Sequence, residues 1–252
     1  EFLNYKGTGC SVMELSHRGK EFLAIIEGLE AKLRKVVGIP DNYSVLFMEG
    51  GATTQFAAVP LNLMKNADAV VDYAVTGAWS TKAVKEAAKY SKNVNKAIDT
   101  TESKHTGLPP QSEWKVSKDA AYFYYCDNET VHGVEWNTVP EVPSTLVCDM
   151  SSNFLSRPID VSKYGCIIAC SQKNMGCAGL TTVIVRTDLL GTALPCTPSM
   201  LDYKVFADAK NIYNTPDTWA VYIADLVVDW VIEQGGLEAI AKMNAEKAAA
   251  IQ

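Results

Sequence analysis

The stretch that decides the fold is Ser44-Val45-Leu46-Phe47-Met48-Glu49-Gly50-Gly51-Ala52-Thr53-Thr54-Gln55-Phe56. Five apolar or small residues in a row, without polar alternation, read as a strand covered on both faces. Two glycines follow, and a helix is expected to begin near Thr53. The same order recurs downstream. Ala69 to Val75 reads as a second strand, and Ser80 to Tyr90 as a lysine-rich amphipathic helix. Four more strands are expected at Ala120–Cys126, Ser144–Asp149, Cys166–Ser171 and Thr181–Arg186. Strands separated by helical segments imply crossover connections, hence an α/β fold: a three-layer α/β/α sandwich around a mostly parallel central sheet.

Between these elements, Asn93 to Val116 is polar and contains Pro109-Pro110, so it is expected to be an irregular surface excursion. Val221 to Ile232 is an apolar helix that Gly235-Gly236 should end. The alanine-rich segment from Glu238 to Gln252 reads as a further helix. The chain opens on Glu1 rather than methionine and closes without a helix cap, so both ends are expected to be cuts, with residues 1–252 forming one domain.

Bulk properties exclude several classes. Hydrophobic residues are 48% and charged residues 21% of the 252, as in an ordinary globular protein. A net charge of −6 argues against a general nucleic-acid binder. No apolar run reaches the ~18 residues of a membrane span, so no membrane partner is expected. The seven cysteines are odd in number and lack C-x-x-C spacing, which points to a reducing, cytoplasmic setting. Neither that spacing nor an H-E-x-x-H pattern supports a metal site.

The chemistry gathers at strand exits, where ligands sit in open α/β sheets. Lys173 follows the apolar run Cys166 to Cys170, and Asp149 ends the run Thr145 to Cys148. Alone, either could be a solvated loop charge or a helix cap. Together, a lysine and an acid at two strand ends can converge on one ligand, and pyridoxal phosphate requires that pair. Lysine carries its carbonyl carbon, and aspartate keeps the ring nitrogen protonated. Gly50-Gly51 before a helix lets backbone N–H groups approach a phosphate. Trp79, at another strand-to-helix turn, could stack on a flat ring or simply cover the sheet. His105 is expected to be solvated within the excursion, and His132 to be structural.

Several longer motifs accompany these residues: Met13-Glu14-Leu15-Ser16-His17-Arg18, Gly50 to Asn62, Thr76-Gly77-Ala78-Trp79-Ser80, Asn128-Glu129-Thr130-Val131-His132-Gly133-Val134, Cys148-Asp149-Met150-Ser151-Ser152-Asn153-Phe154, Gln172-Lys173-Asn174 and Tyr213-Asn214-Thr215-Pro216. In this order they resemble the fold-type-I pyridoxal-phosphate enzymes, and within them the phosphoserine aminotransferases. The resemblance implies the large domain of that fold, with a C-terminal small domain beyond Gln252.

It implies Lys173 as the Schiff-base lysine, Asp149 on the pyridine nitrogen, Trp79 stacked on the ring and Thr130 on the phenolic oxygen. Ala52, Thr53 and Gln172 would hold the cofactor phosphate. Asn214 and Thr215 would reach the phosphate in a neighbouring subunit, which implies a homodimer with shared sites. His17 and Arg18 would bind an anionic group of the substrate, since a guanidinium fork suits carboxylate and phosphate alike. The implied reaction interconverts glutamate plus 3-phosphohydroxypyruvate with 2-oxoglutarate plus O-phosphoserine, in serine biosynthesis. Alternatives are an alanine–glyoxylate-type aminotransferase, a cysteine desulfurase, or a cofactor-binding and dimerisation fragment without turnover. Thr53 departs from relatives that carry arginine there, which bears on substrate preference.

Overall fold

The computed structural model describes residues 1–251. Among the described residues nine strands form, β1 Tyr43–Met48, β2 Val70–Val75, β3 Asn93–Asp99, β4 Tyr122–Cys126, β5 Asn128–Glu129, β6 Val134–Glu135, β7 Thr145–Asp149, β8 Cys166–Cys170 and β9 Thr181–Arg186. The α-helices are α1 Lys20–Val37, α2 Gly51–Leu63, α3 Ala78–Ala87, α4 Tyr203–Asp208, α5 Thr218–Glu233 and α6 Leu237–Ile251. Gln252, the last residue of the helix expected from Glu238, lies outside the described residues.

Seven strands build the main sheet in the order β1-β9-β8-β7-β4-β2-β3. Only β9 runs against its neighbours; the other pairings, from β8 through β7, β4 and β2 to β3, are parallel. The expected mostly parallel sheet is therefore present. Its two faces bury separate apolar layers because successive strand residues point to opposite sides. In β4, Phe123 and Tyr125 join Phe22, Leu29, Val221 and Val228 from α1 and α5. Tyr122 and Tyr124 join Phe56, Val59, Val84 and Tyr203 from α2, α3 and α4. Three layers result.

One expectation fails in the Asn93–Val116 stretch. Its first residues form β3, the edge strand paired with β2. Asn93, Lys96 and Asp99 are exposed, Ala97 and Ile98 are buried and Val94 is half-buried, so polar residues break up a short apolar signal. A charged edge discourages pairing with other chains, and that same polarity hides the strand from pattern reading. Asn95 ties it inward by donating to the buried Asp72 carboxyl at 2.8 Å. At the opposite edge, Asn211 stands in for a missing strand. Its amide donates to the Val45 carbonyl at 3.0 Å and accepts from the Phe47 N–H at 2.9 Å.

Candidate active site

β1, β2, β4, β7 and β8 all point the same way, so their carboxyl ends open onto one side of the molecule. There a cleft of about 400 Å³, counting its open mouth, is lined by Ala52, Trp79, Asp149, Gln172 and Lys173. Five residues singled out in the sequence thus share one space. Cys126, Asn128, Ser151, Ser152 and Cys170 complete the lining. Asn128, Ser151 and Ser152 lie within the motifs quoted above but were given no role of their own, and Cys126 and Cys170 read only as strand residues, because small polar and thiol side chains at strand exits are common in any α/β fold.

Asp149 is the last residue of β7 and only 7% exposed. Ser151 donates its backbone N–H to Oδ1 at 2.9 Å. Burial pushes the carboxyl above the ordinary carboxylate range. Hydrogen bonds from Ser151 and the positive charge of Lys173 act in the opposite direction. A cation brought against this group would therefore relieve an existing cost.

Lys173 lies in the turn that leaves β8. Ser171 anchors that turn by donating its N–H to the Leu180 carbonyl at 3.0 Å. Asn174 then ties it to the loop after β7, donating to the Ser152 and Phe154 carbonyls at 3.0 and 3.1 Å. The two loops are thereby held as a unit, and Lys173 stands exposed with Nζ 5.9 Å from the centre of the Trp79 ring.

Trp79 occupies the first turn of α3. Its indole N–H donates to Thr130 Oγ1 at 3.1 Å, and Lys82 Nζ lies 4.4 Å from its ring centre. Thr130 is exposed and does not itself line the cleft; it touches the lining residue Trp79. Nearby, His132 Nδ1 accepts the Ala78 N–H at 3.3 Å, as a structural role requires. His105 is not simply solvated. It is half-buried, bonded through Nδ1 to Thr100 Oγ1 at 2.8 Å and packed edge-on against His132 at 4.7 Å.

At the cleft's other end, Gly50 (φ 86°) and Gly51 (φ 67°) take left-handed backbone conformations that L side chains disfavour. They turn the chain from β1 into α2, two residues before the expected start. Unpaired N–H groups of a first helical turn, with the positive end of the helix dipole, form a ready anion site. Ala52 and Thr53 lie in that turn; Thr53 is exposed and not part of the lining.

Four expected residues lie elsewhere. His17, Arg18, Asn214 and Thr215 do not line the cleft around Lys173. They gather with one another: Arg18 Nε donates to His17 Nε2 at 3.2 Å, and Thr215 Oγ1 lies 3.5 Å from the same nitrogen. Asn214 and Thr215 are exposed.

Among the described residues, no helix is long and apolar enough to cross a membrane. The aminotransferase class-V family model matches residues 1–252. The phosphoserine aminotransferase of Laribacter hongkongensis is 52% identical over 248 residues, which is 98% of this chain and 68% of that protein. Phosphoserine aminotransferase 1, chloroplastic, of Arabidopsis thaliana is 51% identical, with 98% of this chain and 57% of that protein covered. A phosphoserine aminotransferase from Trichomonas vaginalis, crystallised with PLP bound, superposes with a TM-score of 0.93 at 42% identity, covering 99% of this chain and 70% of that one. The enzyme from Bacillus circulans subsp. alkalophilus gives a TM-score of 0.94 at 38% identity, covering 100% and 69% respectively. With matches over nearly its whole length, the chain belongs to the class-V aminotransferases, in the phosphoserine aminotransferase group.

Proposed function

We propose that the chain is the pyridoxal-phosphate-binding domain of a transaminase that converts glutamate and 3-phosphohydroxypyruvate into 2-oxoglutarate and O-phosphoserine, a step of serine biosynthesis. The observation that carries this is the meeting of Asp149, Lys173 and Trp79 in one cleft whose end is the N-terminus of α2. These groups fit the cofactor one by one. A buried carboxyl already raised by desolvation suits a protonated ring nitrogen, which restores its favoured partner charge. The indole face suits a flat heterocycle, and the left-handed Gly50-Gly51 turn suits a phosphate.

Bound there, pyridoxal phosphate supplies an electron sink for the pair released when the substrate's Cα–H bond breaks. The chain's own residues do the rest. Lys173 Nζ would hold the cofactor through its carbonyl carbon and, as a free amine, would carry the proton removed from the substrate Cα. Asp149 would keep the proton on the ring nitrogen. Thr130 accepts the Trp79 N–H, so its own hydroxyl proton stays available to donate to the ring's phenolic oxygen. The N–H groups of Ala52 and Thr53, with Gln172, would hold the phosphate. His17 and Arg18 bind a carboxylate or phosphate of the substrate.

In this reading the working unit is a homodimer. Asn214 and Thr215 are exposed and outside their own chain's cleft, which supports their donation to the neighbour's phosphate. The described chain holds seven free cysteines, four of them buried, which supports a cytoplasmic, reducing location.

The test is covalent. The protein is saturated with pyridoxal phosphate, reduced with borohydride, digested and analysed by mass spectrometry. The pyridoxyl mass should fall on the peptide containing Lys173 and disappear in Lys173→Ala, whose melting temperature should stay near that of the wild type because the side chain is exposed. A label on another lysine would eliminate the assignment.

A further inference from the structure

Glu129 takes no part in the reaction proposed above, yet its side chain is fully buried. A buried carboxyl is costly unless its oxygens are occupied, and here both serve the first turn of α3. Oε2 accepts the Trp79 backbone N–H at 2.9 Å, and Oε1 accepts the Ser80 N–H at 2.8 Å and the Ser80 hydroxyl. Helices usually cap this end with a local Ser, Thr, Asp or Asn. Gly77, the residue at the cap position, has no side chain to offer. Its backbone (φ 176°) is one that any residue could adopt, so conformational freedom does not explain the glycine. Space does. A Cβ at position 77 would lie 2.5 Å from Glu129 Cδ and 2.6 Å from Oε2. The glycine makes room for a carboxyl delivered from elsewhere in the chain.

The delivering segment does more than cap. His132 takes the Ala78 N–H, Glu129 takes those of Trp79 and Ser80, and Thr130 takes the Trp79 indole N–H. Residues 129–132 therefore grip Trp79 at its backbone, at both neighbouring peptides and at its ring. A cap serving only helix stability would need no hold on the ring.

We propose that Glu129 is a positioning residue that sets the Trp79 ring, and with it the Thr130 hydroxyl, against the cofactor in the cleft; this rests on the cofactor reading above. Its effect passes through Trp79, so the two residues should be coupled.

The experiment measures the pyridoxal phosphate dissociation constant, the visible circular dichroism of the bound cofactor and the melting temperature. It uses wild type, Glu129→Gln, Trp79→Ala and the double variant. Glutamine keeps the shape but turns an N–H₂ group toward one of the donors. We expect Glu129→Gln to weaken binding roughly tenfold, the scale of one hydrogen bond to a charged group, and to reduce the visible dichroism. In the Trp79→Ala background the same change should cost no more than about twofold, because the ring it orients is gone. An unchanged dichroism and affinity in Glu129→Gln, or a full tenfold loss in both backgrounds, overturns the proposal. If Glu129→Gln does not fold, Gly77→Ala carries the test, because it displaces the carboxyl sterically without altering its charge. The same two outcomes decide. Failure of the wild type to bind pyridoxal phosphate, or borohydride labelling away from Lys173, overturns the cofactor reading beneath it. Labelling at Lys173 with no effect of Glu129→Gln overturns this inference alone.

Discussion

Replacing Asp149 with asparagine should make the cofactor-free protein more stable while disabling it. The carboxyl is 7% exposed, and burial holds it above the ordinary carboxylate range. Asparagine keeps an oxygen able to accept the 2.9 Å bond from the Ser151 N–H, so the local structure survives. What disappears is the cost of a desolvated charge, set here at about 1 kcal/mol, the low end of the penalty for an imperfectly paired buried polar group. For a chain of this size that corresponds to a melting temperature higher by about 2–4 °C.

The pH dependence follows from the direction of the shift. A carboxyl whose folded pKa exceeds its unfolded value of about 3.9 binds its proton more tightly in the native state. Wild type therefore bears the full cost above the folded pKa and sheds it as pH falls through that value. Asparagine does not titrate, so its advantage should be largest well above the folded pKa of Asp149 and shrink as the pH falls through it. Melts of both proteins without cofactor, run in matched buffers, read the difference directly, since titrations common to the two cancel. With glutamate and cofactor present, the variant should lose about 10²- to 10³-fold in rate, the scale for removing one preorganised electrostatic contact. A variant that melts below wild type at pH 8, or a gap that widens on acidification, would refute the reasoning.

Two further changes probe the scaffold. Gly50→Ala should cost about 1–3 kcal/mol, because a Cβ there meets Thr54 Oγ1 at 1.9 Å and the φ of +86° disfavours any L side chain. Denaturant unfolding measures it, and cofactor affinity should fall in parallel as the start of α2 shifts; unchanged stability would mean that the turn is looser than drawn. Asn211→Ala should cost about 2–3 kcal/mol by leaving the Val45 carbonyl and Phe47 N–H unpaired at the sheet edge, with faster backbone exchange along β1. Exchange confined to other strands would argue against this account.

Much of the architecture is legible in local pattern. The apolar runs ending at Met48, Val75, Cys126, Asp149 and Cys170 each announce a strand covered on both faces, and residues just past such runs sit at one end of a parallel sheet. Lys173 and Asp149 could therefore be nominated before any fold was seen, as could the glycine turn at 50 and 51. Their convergence was another matter, since it depends on Asn174 locking two loops together across the sheet. The edge strand β3 is too polar to declare itself, and the reversed direction of β9 depends on its neighbours rather than on its own residues. Burial of Glu129 is equally invisible, because a glutamate reads as solvated until three donors from a distant helix surround it. Short-range sequence encodes which faces must leave water. Strand order, strand direction and the partners of buried polar groups arise only when segments far apart in the chain compete for the same hydrogen bonds.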